Sequence, residues 1–97
     1  MYARAVTIQM QPGKLDEAIS VFQDSVLPAI KQQKGFRRIS MLVDRNTYKT
    51  ITISFWETEA DRTASETSGH FAAQLAKFGS FFAGPPITER FEVAMEA

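Results

Sequence analysis

The stretch from Gly35 to Trp56 constrains the fold of this chain more than any other. Two runs of β-branched and apolar residues, Phe36–Val43 and Tyr48–Trp56, flank the turn residues Asp44–Asn46. Asp and Asn side chains hydrogen-bond to nearby backbone in turns and tolerate left-handed backbone angles. Both runs alternate between apolar and other side chains, which is typical of a strand with one buried face. The stretch therefore predicts an antiparallel β-hairpin.

The flanking sequence predicts a first strand, a long helix and a last strand. Tyr2–Gln11 alternates and is followed by Pro and Gly, and Ile87–Met95 alternates after a Gly-Pro-Pro sequence. Lys14–Gln33 carries apolar residues at steps of three and four, which predicts a helix with one apolar stripe. Pro28 lies late in this helix, so we expect it to kink or loosen the last turn.

A second helical region follows the hairpin and is predicted in two pieces. Thr58 is the expected N-cap of a short polar helix that ends near Thr67. Ser68 and Gly69 mark a break, and another helical run begins near His70. The order β-α-β-β-α-β predicts an α+β fold of the ferredoxin-like type, with a four-stranded antiparallel sheet. Two helices cover only one face of such a sheet, so the other face is left open.

The alternation also predicts which side chains face the helices and which lie on the open face. The predicted helix-facing set is apolar: Val6, Ile8, Met10, Ile39, Met41, Val43, Ile51, Ile53, Phe55, Phe91, Val93 and Met95. The predicted open-face set favours small residues, hydroxyls and a few large rings: Ala5, Thr7, Gln9, Arg38, Ser40, Leu42, Tyr48, Thr50, Thr52, Ser54, Trp56, Arg90, Glu92 and Ala94. A solvent-facing sheet normally carries more Lys and Glu. We therefore expect this face to pack against a second copy of the chain in a homodimer. The alternative is that β-propensity alone placed Thr and Tyr there.

Length and composition narrow the possible functions. The 97 residues, 44% of them hydrophobic, predict one domain over residues 1–97 with one core. Eleven Lys and Arg balance eleven Asp and Glu, so we expect neither nucleic acid nor an anionic membrane as a partner. The chain has no Cys, which excludes disulfides, thiolate metal sites and a Cys nucleophile. It shows no signal peptide and no apolar run near ~20 residues, so we expect a cytoplasmic protein.

Known catalytic motifs are absent from the sequence. There is no Gly-rich phosphate loop, no GxSxG and no HExxH, so hydrolase, kinase and nicotinamide-dependent functions have no support. A single His does not make a protein metal site, and we expect none.

Several local motifs together resemble one known family. They are Pro12-Gly13 after the first strand, Pro28 late in the helix, Lys34-Gly35-Phe36 before the second strand, and Ser54-Phe55-Trp56-Glu57-Thr58 at the end of the third. The last is similar to the Trp-Glu-Ser/Thr signature of the antibiotic biosynthesis monooxygenase-like family of dimeric α+β barrels. Acidic residues after the signature and a His in the next helical region also fit. The resemblance covers nearly the whole chain and implies the fold and the dimer of that family.

The resemblance implies more than one function, because the family is mixed. Some members oxidise polycyclic phenols with molecular oxygen and without metal or flavin, some bind and degrade haem, and many have no assigned reaction. Our leading hypothesis is a small oxygenase with no tightly bound cofactor, acting on a hydrophobic, aromatic substrate held between helices and sheet. The alternatives are a non-catalytic ligand-binding or interaction domain and a haem-binding member. The haem branch uses an Asn on the first strand, which Tyr2–Gln11 lacks, and a shorter gap than that from Trp56 to His70.

The candidate site residues follow from this hypothesis. His70 is the predicted base that takes a phenolic proton, or else a helix-start His bonded to backbone or water. Trp56 is predicted to stack on a flat ligand, or else to pack as an anchor. Arg38 or Arg90 is the predicted partner of the substrate anion, unless both pair across strands. Two further residues are predicted to line the cavity, with plain strand and core roles as the alternatives: Thr52 and Phe78.

Overall fold

The strands form one four-stranded antiparallel sheet, as predicted. The computed structural model describes residues 1–97 and gives the strands β1 (Tyr2–Gln9), β2 (Phe36–Val43), β3 (Lys49–Trp56) and β4 (Ile87–Glu92). Their order across the sheet is β2-β3-β1-β4, and neighbouring strands are antiparallel. The helices are α1 (Leu15–Val21), α2 (Leu27–Ile30), α3 (Glu59–Thr67) and α4 (His70–Ala76), with a π-helical turn at Phe22–Val26 and a 3₁₀ turn at Gly79–Phe81. The predicted ferredoxin-like α+β fold is confirmed.

α1 and α2 form one helical segment that the π-helical turn interrupts. At the end of that turn the N–H of Leu27 donates to the carbonyl of Phe22, five residues earlier. Pro28 comes next; it has no N–H, and its ring would crowd the carbonyl of Asp24 in a regular α-helix. A π-helical turn widens the helix at this point and relieves that contact. The irregularity therefore lies before the proline, whereas the sequence predicted it in the last turn.

The core lies between the helical segments and one face of the sheet. Its buried side chains form one apolar cluster: Val6, Ile8, Met10, Leu15, Ala18, Phe22, Val26 and Phe78. The rings of Phe22 and Phe78 tilt against each other with their centroids 6.5 Å apart. Both helical regions therefore meet over the centre of the sheet. The predicted helix-facing residues of β1 and β2 lie against this cluster, as expected.

The turn of the hairpin contains one residue in the left-handed region. Tyr48 has a φ of 64°. Oδ1 of Asp44 accepts from the N–H groups of Asn46 at 2.8 Å and Thr47 at 3.2 Å, and these bonds lower the pKa of Asp44. The N–H of Asp44 donates to the carbonyl of Lys49 at 2.9 Å. The loop between Asp44 and Lys49 thus sets how β2 and β3 align.

The resulting register contradicts the predicted faces of β3. Met41 lies opposite Thr52, which in turn lies opposite Val6 in β1. Residues directly opposite each other share a face, so the helix-facing side of β3 carries hydroxyl groups. The prediction for this strand was wrong: Ile51, Ile53 and Phe55 lie on the open face, and Thr50, Thr52, Ser54 and Trp56 face the helices. A register shift of one residue moves every side chain to the other face.

The predicted faces of β4 were wrong in the same way. Arg90 lies opposite Arg4, so the alternate residues that include Arg90 face the helices. Ile87 and Phe91 lie on the open face instead, 59% and 50% exposed. The strand ends at Glu92, before three residues that were predicted to belong to it: Val93, Ala94 and Met95.

α3 and α4 begin and end close to their predicted limits. Oγ1 of Thr58 accepts from the N–H of Asp61 at 3.0 Å and caps α3, as predicted. Gly69 separates the two helices with a φ of 86°, a conformation that glycine adopts without steric cost. None of the helical segments has both the length and the apolarity needed to cross a bilayer.

Replacing Gly35 by Ala should destabilise the fold more than replacing Gly13 by Ala. Both glycines have positive φ, 78° and 82°, so each Ala carries a strain of roughly 1–2 kcal/mol. A Cβ at position 35 would also collide with the side chain of Asp61, whereas a Cβ at position 13 meets nothing within 4 Å. The collision should add roughly 1–3 kcal/mol. Urea unfolding followed by circular dichroism measures both losses, and equal losses would contradict the collision.

Candidate functional site

A cavity lies between the sheet and the helices, beside the core. It leaves about 60 Å³ for the centres of water molecules. The volume enclosed by the walls is larger than this figure, because the centre of a water stays one water radius away from the wall atoms.

The lining of the cavity is mostly apolar, since 11 of its 17 residues are hydrophobic. The sheet contributes Arg4, Val6, Ile8, Met10, Ile39, Met41, Thr50, Thr52 and Ser54. The helical side contributes Phe22, Val26, Ile30, His70, Phe71, Gln74, Leu75 and Phe78. The β1 members are buried, whereas those of β2 and α4 are half-buried. The cavity therefore opens between β2 and α4.

Arg4 is the one permanently charged side chain in the lining, and it is only 3% exposed. Its Nη1 donates to Oγ of Ser65 at 2.8 Å and lies 3.4 Å from a carboxylate oxygen of Glu66. Its guanidinium carbon lies 4.1 Å from the ring centroid of Phe71 and 5.5 Å from that of Trp56. Burial lowers the pKa of Arg4, and Glu66 opposes that shift. The guanidinium remains protonated, as it does in proteins generally.

Glu66 on α3 is shared between Arg4 and Arg90. Nε of Arg90 donates to both carboxylate oxygens, at 2.9 and 3.2 Å, and hydrogen bonds from Arg90 are the main cause of the lowered pKa of Glu66. Arg62, also on α3, is buried and donates from Nη1 to two main-chain carbonyls of the sheet, at 3.3 and 3.1 Å. Three guanidinium groups and one carboxylate thus lie close together, and only Arg4 among them lines the cavity.

His70 is the first residue of α4 and belongs to the lining. Its Nε2 is buried and has no hydrogen-bond partner in the protein. Its pKa is lowered, first by burial and then by the positive charges of Arg4 and Lys77. The imidazole is therefore neutral at pH 7 and keeps a ring-nitrogen lone pair that accepts a proton.

Trp56 is fully buried and does not line the cavity. Its Nε1 donates to Oγ of Ser54 at 3.0 Å, and its ring meets Phe36 edge-on with centroids 5.9 Å apart. One face of the Trp56 ring lies towards the guanidinium of Arg4. Trp56 is therefore packed within the protein, and its contact with a ligand stays a prediction.

Thr52 and Phe78 lie together with His70 in the lining. Thr52 reaches the cavity because β3 presents it to the helices, so its predicted place on the open face was wrong. Phe78 is buried and belongs to the core cluster as well as to the lining. Contact of either side chain with a substrate stays a prediction.

Two predicted site residues lie away from the cavity. Arg38 projects from the open face, where its guanidinium lies 4.1 Å from the ring centroid of Phe55 and donates to Glu96 at 3.1 Å. Arg90 is on the edge strand and is engaged by Glu66. Neither belongs to the lining, and contact of either side chain with a substrate anion stays a prediction.

Arg4 is the residue that sequence reasoning missed. It lies two positions before Val6 and four before Ile8 in the same alternating strand, so strand geometry places it on the helix-facing side. A charged residue in an otherwise apolar helix-facing set was the available signal, because such groups are rarely buried without a purpose.

No group of three or more His, Cys, Asp or Glu side chains is arranged to hold a metal ion. His70 is the one histidine in the cavity lining, and its Nε2, the atom that would ligate a haem iron, is buried.

Comparison with known sequences relates the chain to one family. The sequence model of the family described as antibiotic biosynthesis monooxygenase matches residues 1–77. Two uncharacterized proteins of Mycobacterium tuberculosis strain H37Rv, Rv2557 and Rv2558, are 36% and 35% identical over 97% and 98% of this chain. The chain spans 41% and 39% of the length of these relatives.

Comparison with solved structures relates the fold to two Streptomyces oxygenases. A monooxygenase from the gene ActVA-Orf6 of Streptomyces coelicolor, in complex with the ligand nanaomycin D, has a TM-score of 0.81 at 16% identity, covering 99% of this chain and 89% of that chain. SnoaB, a cofactor-independent oxygenase from Streptomyces nogalater, has a TM-score of 0.80 at 16% identity, covering 98% and 94%. At these identities the likeness is one of fold.

The pKa of His70 should lie below its ordinary value of 6.5. Arg4→Met should raise it only part of the way, because burial, the larger cause, remains. Arg45→Met should leave it unchanged, since Arg45 is exposed and pairs with Asp16. His70 is the only His in the chain, so its ring protons can be titrated by NMR without ambiguity. A wild-type pKa at or above 6.5 would contradict the buried environment.

The same shift predicts a pH dependence of stability. Between the folded pKa and 6.5, the unfolded chain binds more protons at His70 than the folded chain does. The free energy of unfolding should therefore decrease as the pH falls from 6.5 through the folded pKa. His70→Gln should remove this part of the decrease and leave the pH dependence of the free energy of unfolding unchanged above pH 6.5.

Proposed function

The chain belongs to the antibiotic biosynthesis monooxygenase family, and on that premise we propose that it is a small oxygenase acting on a hydrophobic, aromatic substrate in the cavity. The observation that carries the proposal is the imidazole of His70, which lines a largely apolar cavity and whose pKa is lowered by burial, so that it is neutral at pH 7. A neutral base beside an apolar cavity suits the removal of a proton from a phenol. Molecular oxygen is the only co-reactant that the proposal requires.

The proposed reaction converts a phenol into a quinone. His70 takes the hydroxyl proton and leaves a phenolate. The ring carbon para to the phenolate oxygen donates an electron pair to O₂ and forms a C–O bond, and His70 returns its proton to give a hydroperoxide. Loss of the hydrogen on that carbon as a proton then breaks the O–O bond. One atom of O₂ remains in the quinone and the other leaves in water.

The walls of the cavity support this role for His70. Phe71 and Phe78 line the helical side, and apolar walls exclude water, which strengthens the electrostatic interactions inside. Thr52 adds one hydroxyl from the sheet. The likeness in fold to SnoaB, described as a cofactor-independent oxygenase, favours an oxygenase over a non-catalytic domain.

We also propose that the open face of the sheet pairs with a second copy of the chain. Leu42, Ile87 and Phe91 are 51%, 59% and 50% exposed on this face, and the register brings further apolar residues between them: Ile51, Ile53 and Phe55. A contiguous exposed apolar face marks an interaction surface. A two-fold pairing buries the same surface of both chains and would close the two sheets into a barrel.

Oxygen uptake with a panel of anthrones and of phenols that carry a hydrogen para to the hydroxyl tests the proposed reaction. His70→Gln should lower kcat by roughly 10²-fold or more, because a general base contributes about 10²–10⁴. Ala73→Gln is the matched control, since Ala73 is exposed on the same helix and outside the lining. Turnover that survives His70→Gln would remove His70 as the base. No turnover of any substrate would favour the ligand-binding alternative.

Light scattering after size exclusion tests the proposed dimer. The wild-type mass should be twice the chain mass of 10.9 kDa. Ile53→Lys places a charge at the centre of the open face, between Ala5 and Ser40, and should give a folded monomer. Ala76→Lys, at an exposed position on α4, should remain dimeric. A wild-type monomer at micromolar concentration would contradict the proposal.

A further inference from the structure

Arg4 has hydrogen-bonding capacity that the protein leaves unused. Its contacts with Ser65 and Glu66 both involve Nη1, and Nε and Nη2 have no partner in the protein. Neither atom is sealed off, because the fully buried side-chain nitrogens without a partner belong to Arg62 and His70. Two donor atoms of a nearly buried guanidinium are therefore left to a ligand in the cavity.

The charges around Arg4 do not balance. Glu66 is the one carboxylate that acts on Arg4, while Arg62 and Arg90 add like charge. Both oxygens of Glu66 already accept from Arg90. His70 adds no charge when it is neutral, so the end of the cavity keeps an excess of positive charge. Such an excess attracts an anion more strongly in an apolar cavity than at a surface.

The guanidinium of Arg4 is held in place before any ligand binds. The ring of Phe71 lies 4.1 Å from it and Trp56 lies 5.5 Å away. Stacked aromatic rings contact the faces of a guanidinium and leave its edge to donate in-plane hydrogen bonds. A donor edge held in this way binds a planar oxyanion with little loss of side-chain freedom.

We infer that the cavity binds an aryl oxyanion, a single aromatic ring that bears one carboxylate or phenolate group, with its anionic oxygen on Nε and Nη2 of Arg4. The ring would lie against the apolar walls of the cavity, beside Phe78. The inference rests on the proposed function only in that both use the same cavity. The phenolate formed by His70 is one such anion. It makes Arg4 the residue that determines specificity for charge.

Benzoate and benzamide are matched probes for this inference, because they have nearly the same shape and only benzoate is charged near pH 7.5. Wild type should bind benzoate at least ~10-fold more tightly, as expected for hydrogen bonds to a charged group. Trp56 is the only Trp in the chain and lies near Arg4, so its fluorescence reports binding. Calorimetry provides an independent value of Kd. A second pair, 4-nitrophenol and 4-nitroanisole, tells a phenolate ligand from a carboxylate ligand.

Arg4→Met should abolish the preference for the charged member of each pair, and Arg45→Met should retain it. Arg4→Met should fold, since Glu66 keeps its hydrogen bonds to Arg90, and thermal melting checks this. If it does not fold, Arg4→Lys, which keeps the charge but loses the planar fork, should weaken binding of the charged probe. Equal binding of charged and neutral probes by wild type would overturn the inference.

The same probes separate this inference from the proposed function. Arg4-dependent binding of benzoate without turnover of any phenol would support the anion site and contradict the proposed oxygenase activity. Turnover of phenols combined with equal binding of charged and neutral probes would support the oxygenase activity and contradict the anion site.

Discussion

The register between β2 and β3 is the constraint on which the rest of the structure depends. It turns the hydroxyl-bearing residues of β3 towards the helices, where their polar groups are satisfied: Thr50 donates to the carbonyl of Ile8 at 3.3 Å, and Ser54 accepts from Trp56 at 3.0 Å. Thr and Ser side chains are smaller than the Ile and Phe side chains of the alternate positions. Their small size leaves the space that forms the cavity, which the opposite register would fill.

The same register gives the outer surface its character. With the hydroxyl groups inside, the apolar residues of β3 are displayed on the open face, next to Ile87 and Phe91 of β4. Arg90 turns inward with its strand and meets Glu66, which is the counter-ion of Arg4. Which side of β3 and β4 faces the helices therefore determines three features together: the cavity, the charge imbalance around Arg4 and the apolar surface proposed as a dimer interface.

The features that the sequence predicted correctly depend on local patterns. The order of the elements, the cap at Thr58 and the break at Gly69 follow from residues close to each other in the chain. The faces of β3 and β4 do not, because the more apolar side of each strand lies on the open face, and which side faces the helices depends on a turn. That turn has Tyr48 in the left-handed region, which a non-Gly residue with a bulky side chain rarely adopts. His70 was predictable as the only His, and Arg4 by its strand position, whereas the place of Arg38 outside the lining depends on where the cavity forms.

Nuclear Overhauser effects between side chains test the register most directly. This register predicts cross-peaks from the methyl group of Thr52 to the side chains of its cross-strand partners, Val6 and Met41. It also predicts that Thr52, not Ile53, shows contacts to the helix-side lining of the cavity, which includes Phe78. Cross-peaks from the methyl groups of Ile53 to the rings of Phe22 or Phe78, with none from Thr52, would place the opposite face of β3 against the helices and contradict the account.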